Sequence, residues 1–228
     1  MTVLHLADEG EAADLAAFLS RLLRYDRAAA VRLQAAGTAL AVFGRPPSFE
    51  VLAVRAVRLA KPYEDGLDVT LDVTVSAGEL LEAVDEKAAT AGVPGAVTGP
   101  PWAGLLPPRG GWRPEPGLPA PDALRALVAA AVAEFRSRTG DLAPEGRTRA
   151  ELDRIGREIW SRTVGDTGLP VRAVHAAQSL GFLGPPGAPS GEDAPKLFSS
   201  GTWLRLRTPY GSVALRRAGS GALGISVR

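Results

Sequence analysis

The chain of 228 residues lacks cysteine and has one methionine and only two histidines, His5 and His175. Without cysteine it can form neither a disulfide framework nor the thiolate ligands of the common structural zinc sites. Most catalytic groups are Cys, His or clustered carboxylates, so this composition leaves few ways to build an active site. No segment carries a catalytic, metal-binding or nucleotide-binding motif, and we predict neither a metal site nor a cofactor.

Long apolar runs are also missing, and no segment approaches the roughly 20 apolar residues that a bilayer span needs. The N-terminal residues have neither the basic region nor the apolar stretch of a secretory signal. Hydrophobic residues make up 46% of the chain and charged residues 22%, which suffices for a substantial core. We therefore expect a globular, cytoplasmic protein that does not enter a membrane.

The charges are divided unevenly along the chain, although the net charge is only +1. Residues 1–121 hold 11 basic and 15 acidic side chains, which gives −4, and residues 122–228 hold 15 and 10, which gives +5. The simpler interpretation is that the two halves attract one another. The alternative is that the basic half contacts an anionic partner.

Residues 1–92 predict a layer of helices on an antiparallel meander sheet. Asp8 and Glu11 form a capping box that opens a helix with an apolar face, and Ser76 with Glu79 opens a second helix that ends near residues 91–92. Between these helices, alternating apolar residues predict four strands, over residues 29–34, 38–43, 50–59 and 67–75.

Residues 93–121 form a proline-rich arm, since nine of the 19 prolines lie between residues 94 and 121. The arm also carries large apolar side chains, which are costly to leave in water. They either seal the seam between the two halves or bind another protein. We predict these side chains as interface residues and expect a homodimer; they are Trp102, Leu105, Leu106 and Trp112.

Residues 122–228 predict three helices followed by an arginine-rich β-hairpin. The helices are expected over residues 123–138, 148–163 and 170–180, the hairpin over residues 201–217, and a last short strand over residues 223–227. Three helices and a hairpin are the element order of a winged-helix DNA-binding domain. In that hypothesis the third helix and the hairpin contact DNA through Arg172, His175, Gln178, Arg205, Arg207, Arg216 and Arg217.

Three segments carry a resemblance to a known family: residues 106–112 (LPPRGGW), 180–183 (LGFL) and 203–217 (WLRLRTPYGSVALRR). They resemble an uncharacterised family of conserved hypothetical proteins from high-GC Gram-positive bacteria. The resemblance covers mainly the second half of the chain. It implies no activity and no binding residues.

The sequence thus predicts an α+β fold: an antiparallel meander sheet with helices, the arm, and a three-helix unit with a C-terminal β-hairpin. Because reactive side chains are scarce, we interpret the chain as a non-catalytic interaction, regulatory or scaffold protein. Its expected partners are a second copy of itself and an unidentified protein. A winged-helix-like DNA-binding protein and an enzyme of unknown type remain the alternatives, and the sequence leaves open whether the halves are one domain or two.

Overall fold

A computed structural model describes residues 2–60, 71–185 and 194–217. Its helices are α1 (Glu9–Tyr25), α2 (Ala77–Glu82), α3 (Pro121–Gly140), α4 (Arg149–Trp160) and α5 (Val171–Ser179). Its strands are β1 (Val3–His5), β2 (Ala30–Ala36), β3 (Ala39–Gly44), β4 (Leu52–Arg58), β5 (Asp72–Ser76), β6 (Val84–Asp85), β7 (Thr90–Gly92), β8 (Arg113–Glu115), β9 (Lys196–Ser200), β10 (Trp203–Thr208) and β11 (Gly211–Arg216). None of the helices in these ranges combines the length and apolarity that a membrane span requires.

The strands in the described ranges form two antiparallel sheets. A small sheet has the order β1-β7-β6, and the large one, called the main sheet below, has the order β5-β2-β3-β4-β11-β10-β9-β8. Outward from the central β4–β11 pair, β10, β9 and β8 follow in reverse chain order on one side, and β3, β2 and then β5 follow on the other. The two halves of the chain are therefore joined in one continuous sheet, and the predicted α+β class is confirmed.

Helix α1 begins where the sequence predicts. The side chain of Asp8 accepts a hydrogen bond from the Glu11 backbone N–H at 2.8 Å and satisfies a donor that the helix leaves free. Leu15, Phe18 and Leu22 recur at helical spacing and are fully buried. This face covers one side of the main sheet, where the ring of Phe18 stacks on Phe182 at 5.7 Å between centroids.

The two faces of the main sheet have separate apolar clusters. On the inner face, α1, α3, α4 and α5 bury strand residues such as Leu33, Leu206 and Val213. On the outer face, a smaller cluster consists of Leu52, Trp203 and Ala214, with side chains of the arm packed against it. Alternating residues of a strand point to opposite faces, so β10 and β11 serve both clusters at once.

The arm crosses the outer face from one edge of the main sheet to the other. Near its start, the Val97 N–H donates to the Thr74 carbonyl of the edge strand β5 at 2.9 Å. Arg32 on β2 donates to the Ala103 carbonyl in the middle of the arm. At its far end the arm forms β8, the opposite edge strand. Of the two predicted roles, packing within the chain accounts for most of the arm.

Three details of the predicted sheet and helices are wrong. Strand β5 pairs with β2 rather than β4, so only β2, β3 and β4 form a meander. Helix α2 ends at Glu82, because residues 84–85 and 90–92 pair as β6 and β7 of the small sheet. The sequence pattern also predicts no strand at residues 196–200, where β9 lies. The strand predicted at residues 223–227, and the start of the one at residues 67–75, lie outside the described residues.

Arg55 ties the two halves together beneath the central strand pair. Its side chain extends from β4 and is only 8% exposed. One terminal nitrogen donates to the Tyr210 carbonyl in the β10–β11 turn at 2.6 Å, and the other donates to Asp14 of α1 at 2.7 Å. Glu11, 12% exposed, lies 3.5 Å from the same guanidinium. A single side chain thus links α1, β4 and the hairpin.

The substitution Arg55→Met keeps the aliphatic bulk and removes the donors. Glu11 then stays buried without the charge of Arg55 to neutralise it. We therefore expect a loss of about 3 kcal/mol in the free energy of unfolding. The control is Arg58→Met, because Arg58 also pairs with Glu11 but is 72% exposed; it should cost less than about 1 kcal/mol. Urea unfolding measures both. Equal losses would show that Arg55 is no more important than a surface ion pair.

Candidate functional site

A groove of about 400 Å³ opens on the outer face of the main sheet. Three cationic side chains line it, Lys196 from β9 and Arg205 and Arg207 from β10, together with the hydroxyl of Ser212 from β11. Lys196 and Arg207 are exposed, Arg205 is half-buried, and Ser212 is buried. The groove therefore has a polar, basic wall built from three neighbouring strands.

Strand register places these groups side by side. Arg207 lies directly opposite Lys196 on β9 and opposite Ser212 on β11, and Ser212 in turn pairs with Val54 on β4. Arg205 precedes Arg207 by two residues and so points to the same face. Two like charges at directly opposed positions of adjacent strands repel each other and destabilise the pair. Arg207 and Lys196 are such a pair, and their repulsion acts at the groove.

Arg205 is held in place by its neighbours. Its Nε donates to the Ser212 hydroxyl oxygen at 3.0 Å, and its guanidinium carbon lies 5.7 Å from the centroid of the Trp112 ring, within cation–π distance. Burial lowers the pKa of Arg205, and the charge of Arg207 lowers this pKa further. The arm, through Trp112, thus helps to position a cation at the edge of the groove.

The chemistry of the groove suits an anion. Within the described residues no carboxylate lines it, and none forms an ion pair with Lys196, Arg205 or Arg207. Guanidinium groups donate in a planar fork that matches carboxylate and phosphate oxygens, and the ammonium group adds a point charge. Across those same residues, no three His, Cys, Asp or Glu side chains gather as a metal site would require.

The groove unites two of the seven residues predicted to contact nucleic acid, Arg205 and Arg207, and the others lie elsewhere. Arg216 lies over the Trp203 ring at 5.6 Å, and Arg217 pairs with Glu115 at 2.8 Å. These two side chains make contacts within the chain, and their nucleic-acid role stays a prediction.

The remaining three predicted residues are on α5. Arg172 lies 3.4 Å from Glu50, and Gln178 is exposed. His175 stacks on Trp160 at 4.8 Å and meets the edge of Phe49 at 5.2 Å between centroids. Burial lowers the pKa of His175, which favours the neutral ring. His175 is thus a member of an aromatic cluster.

The chain does not form the winged-helix arrangement of the DNA-binding alternative. A wing is a hairpin that projects beside the recognition helix. Here both sides of the hairpin are occupied, because β11 pairs with β4 and β10 pairs with β9. Helix α5 packs on β11 and buries Ala173, Val174 and Ala177. The hairpin and the helix are therefore central parts of the fold.

The predicted interface residues of the arm divide into two groups. Trp102, Leu106 and Trp112 are half-buried against the outer cluster of the main sheet, and the Trp112 indole N–H donates to the Pro108 carbonyl at 2.9 Å. Leu105 points away from this cluster and is 48% exposed. Leu105 is thus the member of the set that is available to a partner.

The sequence prediction missed Lys196 and Ser212. Lys196 lies between the predicted hairpin and residues 184–195. Glycine and proline dominate those residues, so the sequence predicts irregular structure there. The signal that could have identified this strand is the alternation of its side chains. Leu197 is buried, whereas Lys196 and Phe198 point to the other face. Ser212 lies in the predicted hairpin, but only the register identifies its partner across the strand as Arg207.

Two families match consecutive parts of the chain. Residues 1–104 match the family described as "Domain of unknown function (DUF8010)", and residues 107–220 match "Domain of unknown function (DUF8185)", which is half of the chain. The chain belongs to the DUF8185 family. The boundary between the two matches falls inside the arm. The DUF8185 region supplies the cations of the groove, and the DUF8010 region supplies Val54 and Ala56 at its opposite wall.

The solved structures that match this DUF8185 family member include a sliding clamp. The crystal structure of the DNA polymerase sliding clamp from Pseudomonas aeruginosa with ligand aligns with a TM-score of 0.46 and 12% sequence identity. The alignment covers 96% of this chain, which spans 65% of the length of the clamp chain. A search of curated proteins finds no match.

The half-buried position of His175 predicts a pH-dependent stability. The unfolded chain takes up a proton at this residue near a pKa of about 6.5, whereas the folded chain resists protonation because burial lowers the pKa. Stability should therefore be complete above about pH 7 and decline as the pH falls below about 6.5. In His175→Phe, urea unfolding between pH 7.5 and pH 5.5 should show a smaller decline. The same decline in both proteins would contradict this assignment.

Proposed function

We propose that the protein acts without catalysis, by binding an acidic segment of a partner protein in the outer groove. The observation that supports this most directly is the clustering of Lys196, Arg205 and Arg207 around one recess that no described carboxylate lines. The recess has apolar surface as well, from Val54 and Ala56, which suits a peptide that carries both acidic and apolar side chains.

A protein segment fits these charges better than a nucleic acid does. Binding to duplex DNA draws on many phosphate contacts spread over a broad basic face. This chain has a net charge of only +1, and Glu50 and Glu115 neutralise Arg172 and Arg217, two side chains that would otherwise extend the basic surface. The basic surface of the groove is thus confined to a short segment.

Reversing one charge of the groove tests the proposal. The probe is a short fluorescein-labelled peptide, rich in glutamate and with one central serine, and fluorescence anisotropy at low salt measures its Kd. Arg207→Glu should weaken binding about tenfold or more, because it replaces attraction by repulsion. The control is Arg136→Glu, which makes the same change at an exposed arginine on α3, a helix that packs on the inner face of the main sheet; it should leave the Kd nearly unchanged.

Two outcomes would contradict the proposal. The first is absence of peptide binding, or equal loss in Arg207→Glu and Arg136→Glu, which would indicate a general charge effect. The second is tighter binding of a DNA duplex than of the peptide, with a steep salt dependence and a loss in Arg207→Glu. That result would favour the DNA-binding alternative.

The homodimer is a second part of the proposal, supported by the exposed apolar side chains of the arm. Val97 is 39% exposed and Leu105 is 48% exposed, on a segment that already packs by apolar contact. Light scattering should report a dimer that Leu105→Asp converts to a monomer. A strict monomer at high concentration in the unaltered protein would contradict it.

The cytoplasmic location also stays a prediction.

A further inference from the structure

The charge of the groove exceeds what one acidic side chain can neutralise. Three cations face the recess, and a carboxylate brings one negative charge. A phosphate monoester brings between −1.5 and −2 at neutral pH and three acceptor oxygens. We propose that the groove takes a phosphorylated serine or threonine of the partner protein. This inference rests on the proposed function, because it names the group that the same groove recognises.

The three cations of the groove lie on two adjacent strands and on one face of the main sheet. Arg207 and Lys196 face each other across two strands, and Arg205 lies on the same face in the next row, two residues earlier on β10. They come from two positions of β10 and one of β9, whereas a flat carboxylate is satisfied by one guanidinium fork. Phosphate has oxygens enough for all three side chains.

Among the described residues, Arg205 has one hydrogen-bond partner, which leaves its other donors for a ligand. The Ser212 hydroxyl occupies its Nε, and its terminal nitrogens make no hydrogen bond to any residue that the structure describes. Ser212 accepts that hydrogen bond through its oxygen, so its own proton can be donated. The cation–π contact with Trp112 and the hydrogen bond to Ser212 restrain the Arg205 side chain before a ligand arrives, which lowers the entropy lost on binding.

Like-charge repulsion adds a reason for a dianion. Arg207 and Lys196 destabilise their strand pair as directly opposed cations, and Arg205 adds a third charge from a desolvated position. The relief that a ligand provides grows with its negative charge. A phosphate monoester therefore gains more from this arrangement than a glutamate side chain does.

The test uses the glutamate-rich peptide in three versions, with serine, glutamate or phosphoserine at the central position. The phosphoserine peptide should bind about tenfold tighter than the other two, and this advantage should shrink as the pH falls through the second phosphate pKa near 6. Lys196→Ala and Arg207→Ala should each remove most of the advantage. Both positions are exposed, so the fold should persist, and Arg136→Glu again serves as the control.

The outcomes separate this inference from the proposed function. If the three peptides bind equally and Arg207→Glu still abolishes binding, the phosphate preference is wrong and the proposed function stands. If no peptide binds, the proposed function fails and the inference fails with it. If inorganic phosphate alone displaces a fluorescent phosphate probe as well as the phosphopeptide does, the groove takes free phosphate, and the assignment to a partner protein is overturned.

Discussion

The pairing of β4 with β11 is the contact on which the rest of the molecule depends. The backbones meet over three residue pairs, with Ala53 opposite Val213 at the centre. This short antiparallel ladder converts two groups of strands into one main sheet. Arg55 reinforces it from the inner side by linking α1 to the β10–β11 turn. Without this junction there would be no common outer face for the arm to cross and no groove.

The two faces of the main sheet have different tasks. The inner face is covered by helices and supplies most of the buried apolar surface, which stabilises the fold. The outer face is covered only in part, by the arm, and the uncovered part contains the groove. Trp112 connects these roles, because it packs on the outer cluster and also positions Arg205. The arm thus covers part of the outer face and also contributes Trp112 to the candidate site.

Local signals in the sequence suffice for α1, α3, α4 and α5, for the start of α2 and for several strands. The capping box at Asp8 marks the start of α1, and the helices after Pro121 lie close to their predicted positions. Strand order was beyond reach, because the β2–β5 and β4–β11 pairings join segments distant in the chain. The groove depends on that order. The winged-helix hypothesis named Arg205 and Arg207 as DNA contacts. Only the register shows that Lys196 and Ser212 lie beside them.

We propose that an anionic segment of a partner protein binds in the groove, which β4 of the first half and β9, β10 and β11 of the second half form together. Amide chemical shifts of isotopically labelled protein, followed while the phosphoserine peptide is added, test it directly. We expect coupled shifts at Val54 and Ala56 on β4 and at Arg205, Arg207 and Ser212 on the hairpin, all with one Kd. Shifts confined to the helices of the inner face, or to one side of the β4–β11 junction, would contradict it.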